Sequence, residues 1–323
     1  MAIDFRPVLM VLSPSSLPYA GTCLESLVRH ATEPMDLALI TDRPGDKSRL
    51  ADVMGPIAEG SRHRWAVYDQ ADADARADDR FRGLEHVREF RRGHPCWRKV
   101  TDPPLFVEEG REMIILDPDV YFPAPFRFEP TPRAGLRLMW QRPNCLYPPE
   151  VVRRAFDRGV RMADHTDIGI CQATNSLDWR WIDDLIGRLG GADLPARCPH
   201  VESIVWAALA MRVGGSYLDP RLWFCWQNTP WKRLRMQLLR ANGLAIVARE
   251  DLRGLKCFHG GGRAKHWIPQ MVAAGLFDAG PPPDLPAREI PFEEYRREQF
   301  DRKQLTRRLA ARVGIGRIIG SPA

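Results

Sequence analysis

Nowhere in the 323 residues does an apolar run approach the roughly twenty positions a bilayer-crossing helix needs, so the chain offers no candidate transmembrane span. Its start, Met1-Ala2-Ile3-Asp4-Phe5-Arg6-Pro7, lacks a basic segment followed by a long apolar one and does not read as a secretory signal. Cys-x-x-Cys is missing as well. The seven cysteines (Cys23, Cys96, Cys145, Cys171, Cys198, Cys225 and Cys257) are scattered and odd in number. That argues against structural zinc and fits reduced, buried thiols in a cytoplasmic protein. There is no Gly-x-x-x-x-Gly-Lys-Ser/Thr, which excludes a P-loop, and no Gly-x-Ser-x-Gly hydrolase elbow. No Gly-x-Gly-x-x-Gly follows the first apolar run, so a dinucleotide oxidoreductase has no support. Acid is absent from Arg302 to Ala323, where six basic residues stand: Arg302, Lys303, Arg307, Arg308, Arg312 and Arg317. That segment accounts for the whole net charge of +6, leaving residues 1–301 balanced. A nucleic-acid binder would carry its basic face on the folded body, so no nucleic-acid partner is expected.

What is present is ordinary globular composition, 44% hydrophobic and 27% charged, in a length that suits one large α/β domain. Val8–Leu12, Leu37–Ile40, Arg64–Tyr68, Met113–Leu116 and Leu136–Trp140 read as strands. The first, second and fourth are continuous apolar runs without alternation, the mark of strands covered on both faces. Thr22-Cys23-Leu24-Glu25 has capping-box spacing and predicts a helix onset. Further helices are expected over Asp69–Arg92, Pro149–Arg158, Asp178–Leu189 and Glu202–Arg212, and late strands at Leu244–Val247 and Lys256–Phe258. The alternation of strand and helix predicts a mostly parallel central sheet flanked by helices. The body is expected to span 1–280. Residues 281–323 follow as a Pro-rich linker and a basic helical tail, on which Leu305, Leu309 and Val313 share one face among arginines, with Ile315, Ile318 and Ile319 beyond. Such a tail suits an anionic membrane surface.

Two motifs carry chemistry. Asp117-Pro118-Asp119 leaves the end of the buried run Met113–Leu116. Two hard oxygen donors in a stiffened turn suit Mn²⁺ or Mg²⁺, whose shell is completed by water and substrate phosphates. His259-Gly260-Gly261-Gly262-Arg263-Ala264-Lys265-His266-Trp267 follows the apolar Cys257-Phe258. Its glycines let a backbone approach an anion, Arg263 and Lys265 add positive charge, and His259 can offer an imidazole to a metal. Ligands of open parallel sheets bind beyond the carboxyl ends of the strands. Ser13–Ser16, Thr41-Asp42 and Asp117–Asp119 all fall at such ends.

With these motifs in place, the chain resembles the retaining glycosyltransferases of family 8, which have the GT-A (Rossmann-like) fold and include glycogenin and bacterial lipopolysaccharide galactosyltransferases. The shared pattern is Asp117-x-Asp119 after a hydrophobic strand, with a late His259-x-x-Gly262-x-x-Lys265-x-Trp267. The resemblance implies Mn²⁺ bound by Asp117, Asp119 and His259, and a UDP-sugar whose diphosphate meets Gly262 and Lys265. It is a divergent one. His266 stands where the family has Pro, Asp167-Ile168-Gly169 replaces Asn-Ser-Gly, and Glu202-Ser203 replaces Asp-Gln.

Other positions are weaker. Ser13, Arg98, Lys99, Gly261 and Arg263 are candidates for holding the donor diphosphate. Asp167, Gln172 and Glu202 are candidates for contacting the donor sugar near the reaction. Trp223, Trp226 and Trp231 fit either an acceptor-stacking surface or core. The expected function is transfer of a sugar from a nucleotide donor to a glycan or glycolipid acceptor. A sugar-nucleotidyltransferase and a non-catalytic nucleotide-sugar binder stand beside it.

Overall fold

The computed structural model describes residues 4–312 apart from 239, 241, 279 and 281–286. Eleven strands lie among the described residues: β1 (Arg6–Val11), β2 (Met35–Ile40), β3 (Arg64–Tyr68), β4 (Glu112–Leu116), β5 (Val120–Tyr121), β6 (Leu136–Trp140), β7 (Thr166–Thr174), β8 (Gly215–Tyr217), β9 (Trp223–Cys225), β10 (Cys257–His259) and β11 (Ile290–Pro291). Eight of them form a central sheet in the order β11-β8-β6-β7-β4-β1-β2-β3. Neighbours β1, β2, β3 and β4 run parallel, as do β6 and β8, while β7 lies antiparallel between β4 and β6 and β11 closes the edge antiparallel to β8. The remaining three make a small second sheet, β5-β10-β9.

The unalternating apolar runs explain themselves in section. Successive side chains of a strand point to opposite faces. Leu9, Met113 and Ile115 enter one core layer with Val205 and Ile204, whereas Val8, Met10, Ile114 and Leu116 enter the other with Leu24 and Leu27. Both layers are dry, so both sets of positions must be apolar.

Some expected elements differ. The first helix spans Leu17–His30 and begins before Thr22. Pro18 in its first turn presets the backbone, and the buried stripe Tyr19, Cys23, Leu24, Leu27 runs through the apparent cap. The charged stretch after β3 breaks into helices Gln70–Arg80 and Glu85–Arg92, separated at Gly83, whose φ of 77° is left-handed. Leu244–Val247 is helical (Gly243–Val247), capped where Asn242 accepts from the Leu244 amide at 2.9 Å. A short apolar run cannot be told from helix by periodicity alone.

The described part of the expected tail lies against the body. Ile290 and Pro291 extend the central sheet, and the Tyr295 amide donates to the Met162 carbonyl at 2.8 Å. The helix Arg297–Arg312 buries Phe300 and Ala310 but leaves Leu305 and Leu309 half exposed, at 53% and 51%. Val313, Ile315, Ile318, Ile319 and most of the Pro-rich linker lie outside the described residues. No helix among the described residues is long and apolar enough to cross a membrane.

A candidate metal and diphosphate cleft

The topology accounts for how residues 140 positions apart meet. Strand β4 ends at Leu116, and the Asp117 amide is fixed by the Gly169 carbonyl of β7 at 2.9 Å. The chain then turns into β5, whose Val120 pairs with His259 of β10. The Gly260 amide closes the junction by donating to the Asp119 carbonyl at 2.9 Å. Asp117, Asp119 and His259 are thereby backbone neighbours.

Their side chains converge. His259 Nε2 stands 3.2 Å from Asp119 Oδ1 and 3.7 Å from Asp117 Oδ2. On the far side of the ring, Nδ1 is 2.8 Å from Asp167 Oδ1, which also accepts the Gly169 amide at 2.9 Å. An Nδ1–H directed at a carboxylate fixes the imidazole and aims Nε2 at the two aspartates, the outer-shell arrangement that metal-bound histidines use. Gly169 makes room for this. A Cβ there would stand 2.4 Å from His259 Nδ1. Cys225 Sγ completes the ring's surroundings at 3.5 Å.

A buried lysine borders the group. Lys99 Nζ lies 2.8 Å from both Asp117 Oδ1 and Glu202 Oε1. Glu202 opens the buried helix Val201–Val213, and its second oxygen, Oε2, is buried without a hydrogen-bond partner among the described residues. Lys265 stands over the Tyr19 ring at 5.3 Å and lowers the Asp119 pKa across the gap. Burial alone would depress His259, but Asp167 and Asp119 outweigh it and hold the imidazole charged. Burial likewise opposes ionisation of Asp119 and Asp167, and the imidazolium outweighs it in both. Asp117 is raised by burial and by the Asp119 charge against the pull of Lys99. Glu202 is pushed up to about 8, by burial first and then by Asp117. Four buried carboxylates in one place are thus held together by Lys99, Lys265 and a protonated ring. A divalent cation fits this donor set: hard oxygens, one imidazole with its outer partner present, and a proton on His259 that the cation would replace.

Not every sequence-predicted residue arrives. Gln172 does not: it sits opposite Ile114, further down the sheet, and its amide is taken up by the Glu129 carbonyl at 2.7 Å and Thr131 Oγ1 at 3.1 Å. Arg98 does not either. Successive residues of a turn point roughly 100° apart, so with Lys99 facing the cleft Arg98 faces Asp102 at 3.9 Å and a surface recess beside Arg91. Ser13 lies at the carboxyl end of β1, its hydroxyl 2.6 Å from that of Ser15. Gly261 stands beside the His259 ring, Gly262 has a left-handed φ of 66° on the exposed rim, and Arg263 is exposed there too. Trp223 and Trp226 are core; Trp231 is 67% exposed. Tyr19 and Cys96 escaped the sequence reading. Tyr19 meets Lys265 and the His266 ring, and Cys96, pushed up to about 12 by burial and Glu202, borders Lys99 and Asp117. Neither sits in a motif, and only the folding of the helix Leu17–His30 and the His94–Trp97 turn onto the cleft exposes them.

No protein-family model matches the sequence, and no curated protein matches it. Solved structures do. The apo mouse xyloside xylosyltransferase 1 overlays with a TM-score of 0.50 and 13% identity, over 81% of this chain and 99% of that one. The galactosyltransferase LgtC with donor and acceptor sugar analogues gives 0.49 and 9% over 86% and 98%. The apo glycosyltransferase GlyE of Streptococcus pneumoniae TIGR4 gives 0.42 and 12% over 87% and 66%. The first likeness shows that the chain has the GT-A fold.

Proposed function

We propose, from the GT-A fold as premise, that the chain is a metal-dependent glycosyltransferase moving a sugar from a nucleotide diphosphate donor, a UDP-sugar, to a glycan or glycolipid acceptor. The observation that carries the reading is His259, held by Asp167 on one nitrogen and aimed on the other at Asp117 and Asp119. These three would hold Mn²⁺ or Mg²⁺, which supplies neutralisation of the charge that develops on a departing nucleoside diphosphate. The chain does the rest. Lys265 adds a fixed positive charge on the same side as Asp119, the electrostatic stabilisation of a leaving group. Lys99 holds Asp117 and Glu202 in place, and Oε2 of Glu202, without a partner among the described residues, is left to hydrogen-bond a donor-sugar hydroxyl. The resemblance of the Asp117-x-Asp119 and His259 motifs to those of retaining enzymes extends the proposal to retention at the anomeric carbon.

The test is a panel of nucleotide-sugars with Mn²⁺ or Mg²⁺, read by slow donor hydrolysis and by melting temperature. UDP with metal is expected to raise the melting temperature, and Asp119→Ala to abolish both effects. A wild-type protein that ignores UDP and metal together would sink the proposal. Binding without hydrolysis or transfer would leave a nucleotide-sugar binder. Formation of a nucleotide-sugar from a sugar phosphate would mark a nucleotidyltransferase. We further propose cytoplasmic placement at an anionic membrane surface, through the exposed Leu305 and Leu309 of the arginine-rich terminal helix. Co-sedimentation with anionic vesicles, lost in Leu305→Ser/Leu309→Ser, tests it.

A further inference from the structure

Beside the cleft the structure has a second concavity, of about 530 Å³, between the terminal helix, the loop after β6 and the start of β7. Arg142, Arg233, Arg302, Lys303 and Arg307 line it, with Asp164 the one carboxylate among the lining residues. Asp164 is spoken for: it accepts from the Asn144 side chain and from the His165 amide. Lys303 donates to Asn144 Oδ1 at 2.7 Å, a neutral oxygen that gives its charge no ion pair. A smaller recess of about 50 Å³ shares Lys303 and Arg307 and adds Gln141 and Asn228. The oxygens Gln141 Oε1 and Asn228 Oδ1 are buried without hydrogen-bond partners among the described residues. An unmet buried acceptor is unfavourable, and each calls for an O–H or N–H donor.

Arg307 disfavours the charge on Lys303 and on Arg233. Lys303 is pushed down to about 8, by burial first and Arg307 next, and Arg307 and Arg233 are lowered as well, by burial first. Arg302, Lys303 and Arg307 have no ion-pair partner among the described residues, and Asp164 offsets the charge on Lys303 only in part; cations concentrated in this way in a half-buried hollow make an anion site. Its position matters equally. His165, on the rim, holds an uncommon left-handed φ of 54° and lies two residues from Asp167, which grips His259. The lining of the hollow and the residue that grips His259 are thus two positions apart on one stretch of chain.

We propose that this hollow binds a phosphoryl group carried by a hydroxyl-rich acceptor. The phosphoryl oxygens meet Lys303, Arg307 and Arg302, and acceptor hydroxyls donate to Gln141 and Asn228. Binding of the phosphoryl group stands on the hollow alone, whereas its role as an acceptor subsite rests on the transferase reading above. The group arrives either on a soluble sugar phosphate or polyol phosphate, or at the headgroup of a lipid.

Binding is tested on the full chain without nucleotide or metal, by calorimetry and melting temperature. The probes are glycerol 3-phosphate, and phosphatidate vesicles against phosphatidylcholine vesicles. The wild type is expected to bind one phosphorylated probe, and Lys303→Gln or Arg302→Gln to weaken it at least tenfold with the circular dichroism spectrum unchanged. Asp119→Asn is expected to bind the probe as the wild type does. Binding of glycerol 3-phosphate assigns a soluble acceptor, and binding of phosphatidate vesicles alone, retained in Leu305→Ser/Leu309→Ser, assigns a lipid one. Binding of neither probe, equal binding by both cavity variants, or loss of binding in Asp119→Asn overturns the site. Loss in Asp119→Asn would place the phosphate in the diphosphate cleft instead. If the probe binds here while UDP and metal leave the wild type unmoved, the hollow stands and the transferase reading falls.

Discussion

Gly169 is the residue whose smallest possible change asks the most of the cleft. Alanine there would drive a methyl to 2.4 Å from His259 Nδ1, so the ring must swing away from Asp167. Overpacking of this kind costs about 1–3 kcal/mol. Gly169→Ala is therefore expected to lower the urea midpoint modestly and to remove the Mn²⁺-dependent rise in melting temperature. Full retention of that rise would show that His259 is not a ligand. Asp167→Asn tests the partner rather than the space. An amide cannot stabilise the ring as a carboxylate does, and loss of such an outer partner costs about 10–100-fold in metal affinity. Calorimetric titration with Mn²⁺ reads it. That Asp117, Asp119 and His259 are site residues was legible because they follow apolar runs; their meeting depends on β5 leaving the central sheet to pair with β10 in the second one, which no local pattern shows. The task of Asp167 was not. Its partner lies 92 positions away, and the Asp167-Ile168-Gly169 pattern suggested a sugar contact.

Elements were legible where burial on both faces forced unbroken apolar sequence, as in β1, β2 and β4. They were obscure where tertiary contacts decide. The antiparallel β7 separates β4 from β6, and nothing in Thr166–Thr174 announces that direction. The charge of the terminal helix Arg297–Arg312 suggested an appendage, yet Phe300 fastens it to the body through the Phe156 ring, 5.6 Å away, and through Arg153 over its own ring at 5.4 Å. A buried Phe→Ala change costs about 3–5 kcal/mol. Phe300→Ala is expected to release this helix locally, so that mild trypsin cuts first at its arginines. Glycerol 3-phosphate binding should vanish with it, while the response to UDP and Mn²⁺ persists. Loss of both responses together would mean that the helix supports the whole fold rather than the hollow.

At the scale of the molecule, one edge of the central sheet carries two opposite charge environments. One is carboxylate-rich and suited to a cation; the other is cation-rich and suited to an anion. The balance has a pH signature through Lys303, whose pKa falls from 10.5 to about 8 because burial, then Arg307, disfavours the ammonium, with Asp164 only partly offsetting them. Between about pH 8 and 10.5 the unfolded chain keeps a proton on this lysine that the folded chain has lost. Stability therefore rises with pH across that window, as far as this group contributes. Lys303→Met should abolish that part of the rise in urea titrations. A bound phosphoryl group reverses the preference, because it favours the ammonium. Glycerol 3-phosphate is then expected to bind best below pH 8, and to weaken from pH 8 to 9 while taking up a proton, a range in which its own charge is constant. Calorimetry in two buffers of different ionisation enthalpy measures that uptake. Binding that is flat in pH, with no proton taken up, would separate Lys303 from the anion.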